Sequence, residues 1–160
     1  MLEHQKKIWI TGASSGIGRA LALKFAKENW KVGVSARRKE LLNELAQNKN
    51  IFSFPLDVTN DDSVKIAFSN ILNEFKDLDL CVFCSGAYDP KLEQEINKDQ
   101  IRKIMNINFF GVLNCIKTVE DYFKNKKAGH ISIVSSIAAY RGLPNSSGYG
   151  PSKAALTNLT

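Results

Sequence analysis

A tyrosine and a lysine stand four residues apart near the end of the chain, at Tyr149 and Lys153. Side chains at positions i and i+4 lie one above the other on a helix, so this spacing places a phenol beside an ammonium. An ammonium at that distance stabilises a phenolate, which suits a tyrosine for donating and accepting protons. Because the same spacing also arises by chance, with the lysine simply solvated, the surrounding sequence has to decide between the two interpretations.

A segment rich in glycine and serine precedes the first predicted helix and reads Gly12-Ala13-Ser14-Ser15-Gly16-Ile17-Gly18. Glycine allows a tight turn and lets backbone N–H groups approach an anion, while a helix start adds a partial positive charge. The segment therefore predicts a site for the pyrophosphate of a dinucleotide. The alternative, an ordinary turn, is weakened by its position directly between the first strand and the first helix.

The elements that position these residues alternate between strand and helix. Apolar runs predict strands at 7–10, 31–35, 51–55, 78–84 and 131–134. Helical spacing predicts helices at 19–29, 39–47, 61–75 and 99–123, and one that starts at 149. Thr59 or Asn60 is expected to cap the third helix, and Asn97 the fourth. Repeated βαβ units predict an α/β fold, a doubly wound Rossmann-type parallel sheet in three layers, with residues 1–160 as one dinucleotide-binding domain.

Composition and charge exclude several classes of protein. The chain has 160 residues, of which 44% are hydrophobic, and this is enough for one core. Its 22 basic and 16 acidic residues give a net charge of +6 without a block of like charges, which argues against a dedicated nucleic-acid binder. No apolar run reaches the roughly 18 residues of a membrane span, and the first residues lack the apolar core of a signal peptide. A cytoplasmic location is the resulting expectation.

The three cysteines and two histidines predict no metal or disulfide chemistry. An odd cysteine number without a secretory signal argues against a disulfide framework. Cys81 and Cys84 fall in a predicted strand, where residues three apart point to opposite faces, so both are expected to be buried structural thiols. His4 and His130 are too few and too isolated for a metal site.

The glycine spacing Thr-Gly-x-x-x-Gly-x-Gly, together with Ser136, Tyr149 and Lys153, resembles the short-chain dehydrogenase/reductase family, in its compact branch. The resemblance implies that the glycine loop binds NAD or NADP. It also implies that Tyr149 exchanges a proton with the substrate oxygen while hydride passes to or from the nicotinamide. Lys153 then assists the tyrosine and bonds the nicotinamide ribose, and Ser136, thirteen residues before Tyr149, donates a hydrogen bond to the substrate oxygen.

The same resemblance assigns a role to Asn108, because Asn108-Phe109-Phe110-Gly111 matches the family's Asn-x-x-Gly. This asparagine is expected to hold a water that links Lys153 to solvent. Asp57 and Val58 match an Asp-Val pair whose aspartate is expected near the adenine, and a cap or turn role for Asp57 is the structural alternative.

One segment departs from the family pattern. The fourth strand ends in Phe83-Cys84-Ser85-Gly86, where the family commonly shows Asn-Asn-Ala-Gly. Ser85 and Gly86 keep a close approach to the cofactor, but Cys84 cannot supply the amide of an asparagine.

The end of the second strand predicts which dinucleotide is preferred. An acidic residue there bonds the ribose 2′-hydroxyl of NAD, whereas an arginine accommodates the 2′-phosphate of NADP. The chain reads Val34-Ser35-Ala36-Arg37-Arg38, without a carboxylate. Arg37 and Arg38 therefore predict NADP(H), with NAD(H) as the weaker alternative and Ser14 or Ser15 as helpers. The alternative is that both arginines merely lie in solvent at a helix start.

The predicted function is an oxidoreductase that interconverts a small-molecule carbonyl and an alcohol. A dinucleotide-binding sensor or structural subunit without chemistry is the alternative. The sequence does not identify the substrate. The chain ends at Thr160 within a predicted helix, so a fragment lacking further C-terminal strands is expected. The resemblance also implies pairing of copies through the helices near 99–123 and 149–160.

Overall fold

The computed structural model describes residues 5–160, and His4 lies outside the described residues. The strands are β1 Lys7–Thr11, β2 Lys31–Ser35, β3 Ile51–Ser53, β4 Leu80–Phe83 and β5 His130–Ile133. The helices are α1 Gly16–Lys27, α2 Lys39–Leu45, α3 Asp61–Phe75, α4 Lys98–Met105, α5 Gly111–Lys126 and α6 Tyr149–Leu159. A π-helix over Asn106–Phe110 joins α4 to α5, and a 3-10 helix covers Ile137–Ala139.

The strands form one parallel sheet in the order β3-β2-β1-β4-β5. Alternate residues of the central strand enter separate cores, because successive side chains of a strand point to opposite faces. Trp9 packs with Phe68 and Phe83 on one face, whereas Ile8 and Ile10 belong to the core on the other. The predicted α/β fold, with a doubly wound sheet between two helical layers, is thus confirmed.

Several predicted boundaries need correction. The first helix starts at Gly16 and not at 19, since the hydrogen bond from Arg19 N to Ser15 O closes its first turn. The third and fourth strands are shorter than predicted, and the fifth starts one residue earlier, at His130. Asn60, and not Thr59, caps α3, because its side chain accepts a hydrogen bond from Ser63 N.

The predicted helix 99–123 is interrupted by the π-helix Asn106–Phe110. A π-turn widens the helix by one residue and often lies at a functional position. Here it contains the buried Asn108 and is followed by Gly111, where a Cβ would stand 2.6 Å from Cγ2 of Val58. The contact with Val58 leaves no room for a side chain at the start of α5.

Only one of the two cysteines of the fourth strand meets its prediction. Cys81 is fully buried in one core, as expected. Cys84 lies just after β4, packs against the opposite core, and is only partly buried. The prediction of a buried structural thiol is therefore wrong for Cys84, because the strand ends at Phe83 and the next residue reaches the sheet edge.

A charged cluster ties the end of α5 to the start of β4. Lys126 Nζ donates to Asp77 Oδ1 at 2.6 Å and to Leu78 O at 2.8 Å, and the Tyr122 hydroxyl donates to Asp77 Oδ1 at 2.7 Å. Partial burial raises the pKa of the Asp77 carboxyl, but the hydrogen bonds from Lys126 and Tyr122 outweigh it and lower that pKa to about 2. The cluster therefore stabilises the fold while Asp77 is ionised.

The described residues contain no group of three or more side chains able to hold a metal ion. None of the helices among these residues has the length and apolar character needed to cross a membrane.

Candidate active site

A cleft of about 490 Å³ opens at the carboxyl ends of β1 and β4, where the strand order switches direction. Ligands of doubly wound folds bind at this position of the sheet. Thirteen of the residues predicted from the sequence line it, namely Gly12, Ser14, Ser15, Gly16, Ile17, Arg37, Arg38, Asp57, Val58, Ser85, Gly86, Tyr149 and Lys153. Three predicted residues, Gly18, Asn108 and Ser136, do not line the cleft.

The glycines of the first loop are required for different structural reasons. Gly12 has φ of +69°, and a Cβ on it would lie 2.8 Å from backbone atoms of Cys84 and Ser85. A Cβ on Gly18 would lie 2.6 Å from Gly12 O, so the helix packs directly on the loop. Gly16 has φ of +54° and open space where a side chain would stand. The loop is therefore tightly packed toward the protein and open toward the cleft.

Two arginines that follow β2 lie at the rim of the cleft. The Arg38 guanidinium donates to Ser14 Oγ and to Ser15 Oγ, both at 2.8 Å from Nη2. This links the arginine to the glycine loop at the start of α1. Arg37 is exposed and lines the cleft without a side-chain hydrogen bond of its own among those found in residues 5–160. Both guanidinium groups thus line the rim of the cleft beside the glycine loop.

Asp57 has a turn role and also lines the cleft. Its Oδ1 accepts hydrogen bonds from Thr59 N at 3.0 Å and from Thr59 Oγ1 at 2.8 Å. Val58 beside it is buried and contacts Gly111. The structural alternative for Asp57 therefore holds, and it leaves the residue at the cleft wall.

Lys153 is almost completely buried, with 4% of its surface exposed. Its Nζ donates to Val134 O at 2.8 Å and lies 5.8 Å from the centre of the Tyr149 ring. Burial lowers the pKa of the Lys153 ammonium. Burial also raises the pKa of the Cys84 thiol, and the charge of Lys153 partly opposes that rise. The helix thus brings the predicted phenol and ammonium together at the cleft.

Asn108 is fully buried, and its amide joins three parts of the chain. Oδ1 accepts from Ala87 N at 2.7 Å, and Nδ2 donates to Ala87 O and to Ser152 Oγ, both at 3.0 Å. The asparagine therefore connects the π-helix to the loop after β4 and to α6, immediately beside Lys153.

The two serines after β5 have different surroundings. Ser135 lines the cleft, and its hydroxyl pairs with Thr157 Oγ1 at 2.6 Å and donates to Lys153 O at 3.3 Å. Ser136 is half-buried, and its Oγ accepts from Ala138 N at 3.2 Å. That contact leaves the O–H of Ser136 able to donate to another group.

Sequence reasoning missed two contacts made to Tyr149 by the loop between β4 and α4. The Tyr88 ring lies 4.6 Å from the Tyr149 ring, centre to centre. The Glu93 carboxylate accepts from the backbone N–H of Tyr149 at 2.8 Å. Proximity to the Ser85-Gly86 segment was the available signal for Tyr88, whereas nothing local distinguishes Glu93 from the acidic residue two positions on.

The parallel sheet, the glycine loop after its central strand β1 and the cleft at its switch point are the features with which doubly wound α/β folds bind dinucleotides. The chain belongs to the short-chain dehydrogenase family, because the protein-family model described as "short chain dehydrogenase" matches residues 6–160.

Two curated relatives illustrate the family relationship. The chain is 35% identical over 158 residues to dehydrogenase/reductase SDR family member 7 of Mus musculus, covering 93% of the chain and 47% of that protein. It is 30% identical over 165 residues to the 3-oxoacyl-[acyl-carrier-protein] reductase FabG of Staphylococcus aureus, covering 99% of the chain and 67% of that protein. The chain therefore spans about half the length of the mouse relative.

Solved structures share the fold. ElxO with NADP bound has a TM-score of 0.88 and 29% identity, with 98% of this chain and 65% of that chain covered. NAD⁺-bound xylitol dehydrogenase has a TM-score of 0.87 and 27% identity, with 97% and 62% covered.

Proposed function

We propose that the protein is an oxidoreductase that interconverts a carbonyl and an alcohol with NADP(H), using Tyr149 for proton transfer. The observation that carries the proposal is the buried Lys153 ammonium, 5.8 Å from the Tyr149 ring at the wall of the cleft. A buried ammonium is costly unless it has a partner, and here its only hydrogen bond found in residues 5–160 goes to Val134 O. A phenolate forming beside it would be stabilised by its charge.

The cleft residues fit a nicotinamide dinucleotide. Gly16 leaves open space at the start of α1, where backbone N–H groups and the helix dipole favour a pyrophosphate. The volume of about 490 Å³ lies within the range of cofactor pockets. When bound, the dinucleotide supplies or accepts the hydride. ElxO and xylitol dehydrogenase, which bind NADP and NAD⁺, support this assignment.

In the direction of reduction, Tyr149 donates its phenolic proton to the carbonyl oxygen of the substrate. Lys153 stabilises the phenolate that remains. Ser136 donates a hydrogen bond to the same oxygen, where negative charge develops. To restore the phenol, Lys153 passes a proton to the phenolate and regains one from solvent through a water that Asn108 holds. The bonds of Asn108 to Ala87 and Ser152 support this role, because they fix the amide beside the lysine helix.

NADP(H) is the proposed preferred form of the cofactor. Arg38 already donates to Ser14 and Ser15 at the rim, and Arg37 lies beside it. A planar guanidinium matches a phosphate, whereas the second strand offers no carboxylate for a ribose 2′-hydroxyl. Asp57, Val58, Ser85 and Gly86 are proposed to contact the adenosine and nicotinamide parts.

The experiment measures NADPH absorbance with purified protein and a panel of ketones, aldehydes and secondary alcohols. Tyr149→Phe should lower kcat about a hundredfold to ten-thousandfold and leave NADPH binding intact, because it removes only the proton donor. A protein that folds and binds NADPH but turns over no compound in the panel would support the sensor alternative. Ser136→Ala should lower kcat, and Ser135→Ala serves as its neighbouring comparison; a loss confined to Ser135→Ala would transfer the role to that serine.

We propose three further properties of the protein. Residues 1–160 form one dinucleotide-binding domain, and the protein is cytoplasmic. Copies pair through the helices near 99–123 and 149–160, which is supported by Phe110 and Leu159, whose exposed fractions are 50% and 48%. Sedimentation velocity tests the pairing, and a monomer at micromolar concentration would count against it.

A further inference from the structure

Glu93 is a buried carboxylate whose neighbours in the loop between β4 and α4 are exposed. Only 2% of its surface is exposed, although the loop between β4 and α4 is polar and the neighbouring Leu92 is 55% exposed. Burial of a carboxylate costs free energy unless hydrogen bonds compensate it. Its Oε2 accepts from Gly148 N and from Tyr149 N, both at 2.8 Å and across more than fifty residues of sequence. The loop therefore brings a buried carboxyl group to the start of α6.

The start of α6 depends on this carboxylate for its backbone hydrogen bonds. The first N–H groups of a helix have no partner within the helix, and Gly148 at the N-cap has no side chain to supply one. Glu93 satisfies the N–H groups of Gly148 and Tyr149. The next positions are satisfied without it: Gly150 N donates to Ser146 O, Pro151 has no N–H, and Ser152 N donates to Gly148 O.

The same loop also contacts the side chain that α6 presents. The Tyr88 ring lies 4.6 Å from the Tyr149 ring at an angle of 35° between their planes. Tyr149 is thus held at two points, its backbone N–H by Glu93 and its ring by Tyr88. Glu93 itself does not line this cleft but a neighbouring pocket of about 550 Å³.

We propose that Glu93 is a positioning residue for Tyr149. Its carboxylate fixes the first turn of α6 and with it the position of the phenol relative to the cleft. This inference rests on the proposed function, in which Tyr149 donates the proton. A displacement of about 1 Å can cost a hundredfold in rate, so anchoring of this turn decides whether the phenol reaches the substrate oxygen.

The test compares Glu93→Ala, Glu93→Gln and Glu95→Ala. Glu95 is the matched control, because it lies two residues on in the same loop and is exposed. Glu93→Ala should lower kcat about a hundredfold with KM for NADPH unchanged, since the glycine loop lies on other elements. Glu93→Gln keeps an acceptor oxygen for both N–H groups and should recover most of kcat. Glu95→Ala should behave as the unchanged protein.

Hydrogen exchange at the amides of Gly148 and Tyr149 gives a second readout that needs no turnover. Both amides should exchange faster in Glu93→Ala, while the amides of β1 and β4 keep their protection. Unchanged exchange at these two amides overturns the proposal, even if no carbonyl in the panel is reduced and the proposed function itself fails.

Three kinetic outcomes also overturn the inference: an unchanged kcat in Glu93→Ala, an equal decrease of kcat in Glu95→Ala, or a rise in KM for NADPH with kcat unchanged. Should Glu93→Ala not fold, Glu93→Asp replaces it. The aspartate carboxylate is one methylene shorter, so it should lower kcat below that of Glu93→Gln and speed exchange at Tyr149 N. A Glu93→Asp protein that matches Glu93→Gln in both measurements overturns the proposal.

Discussion

Gly16→Ala separates the stability of the glycine loop from its binding role. Gly16 has φ of +54°, and a Cβ there would have no atom within 4 Å. The left-handed backbone costs an alanine about 1–2 kcal/mol. Alanine also lowers the conformational entropy of the unfolded chain, and this stabilises the folded state by about 0.4–1 kcal/mol. The net loss is therefore about 1 kcal/mol, which lowers Tm by about 2–4 °C in a chain of this size.

Binding of NADPH should suffer more than stability. The added methyl group stands in the open space where backbone N–H groups approach the proposed pyrophosphate. Loss of one hydrogen bond to a charged group costs about 1.5–3 kcal/mol. We therefore expect the Kd of NADPH to rise about tenfold to a hundredfold, measured by fluorescence titration beside thermal denaturation.

Two other glycines serve as controls for this prediction. Gly142 has no atom within 4 Å of its Cβ position and no positive φ, so Gly142→Ala should change neither Tm nor Kd. A Cβ on Gly18 would lie 2.6 Å from Gly12 O, so Gly18→Ala should destabilise the fold by about 1–3 kcal/mol. A Gly16→Ala protein that binds NADPH with unchanged Kd would refute a pyrophosphate at this loop.

Arg38→Ala should raise KM for NADPH about tenfold or more and leave KM for NADH nearly unchanged, because the proposed role of the guanidinium is to bind the additional phosphate of NADPH; an equal rise for both cofactors would contradict the NADP(H) preference. NADPH should protect Cys84 from iodoacetamide, since this thiol lines the cleft, whereas the buried Cys81 stays unmodified with or without cofactor. Peptide mass spectrometry measures both thiols, and equal alkylation of Cys84 in the two samples would place the cofactor elsewhere. Lys126→Met should lower the free energy of unfolding above about pH 4. The difference from the unchanged protein should shrink as the pH falls toward 2. This is expected because the depressed pKa of Asp77 contributes stability only while that carboxyl is ionised. Urea unfolding between pH 2 and 7 measures this, and a difference independent of pH would refute the role of the ion pair.

The sequence predicts elements well where local pattern and burial agree. The predicted helix 61–75 matches α3 at both ends, because Val64, Phe68, Ile71 and Phe75 repeat at helical spacing and all are buried. Asn60 and its bond to Ser63 N fix the start independently. The glycine loop and the Tyr149–Lys153 pair are predictable for the same reason, because residues close together in the sequence determine most of their geometry.

The π-helix cannot be predicted from the sequence, because its residues keep the periodicity of an α-helix. Asn106 to Phe110 continue the apolar spacing of the predicted helix 99–123. What is specific to the π-turn is nonlocal: Asn108 bonds Ala87 in the loop after β4, and Gly111 packs under Val58. Both partners are distant in sequence, so no window of local residues contains the signal.

Glu93 shows the same limit at the site itself. In Leu92-Glu93-Gln94-Glu95 the two glutamates have equivalent local surroundings, yet one is 2% exposed and the other lies in solvent. Their difference arises from Gly148 N and Tyr149 N, more than fifty residues further along the chain. A charged residue in a polar loop is predicted to be exposed. Glu93 is buried because α6 packs against this loop.

The loop after β4 physically connects the glycine loop to Lys153. On one side, a Cβ at Gly12 would lie 2.8 Å from the backbone of Cys84 and Ser85, so the two loops are in direct contact. On the other, a Cβ at Gly86 would lie 3.6 Å from Asn108 Oδ1 and 3.7 Å from Lys153 Nζ. Because β1 and β4 are neighbours at the switch point, both contacts fall within a few residues. A shift of this loop would therefore move the glycine loop and Lys153 together.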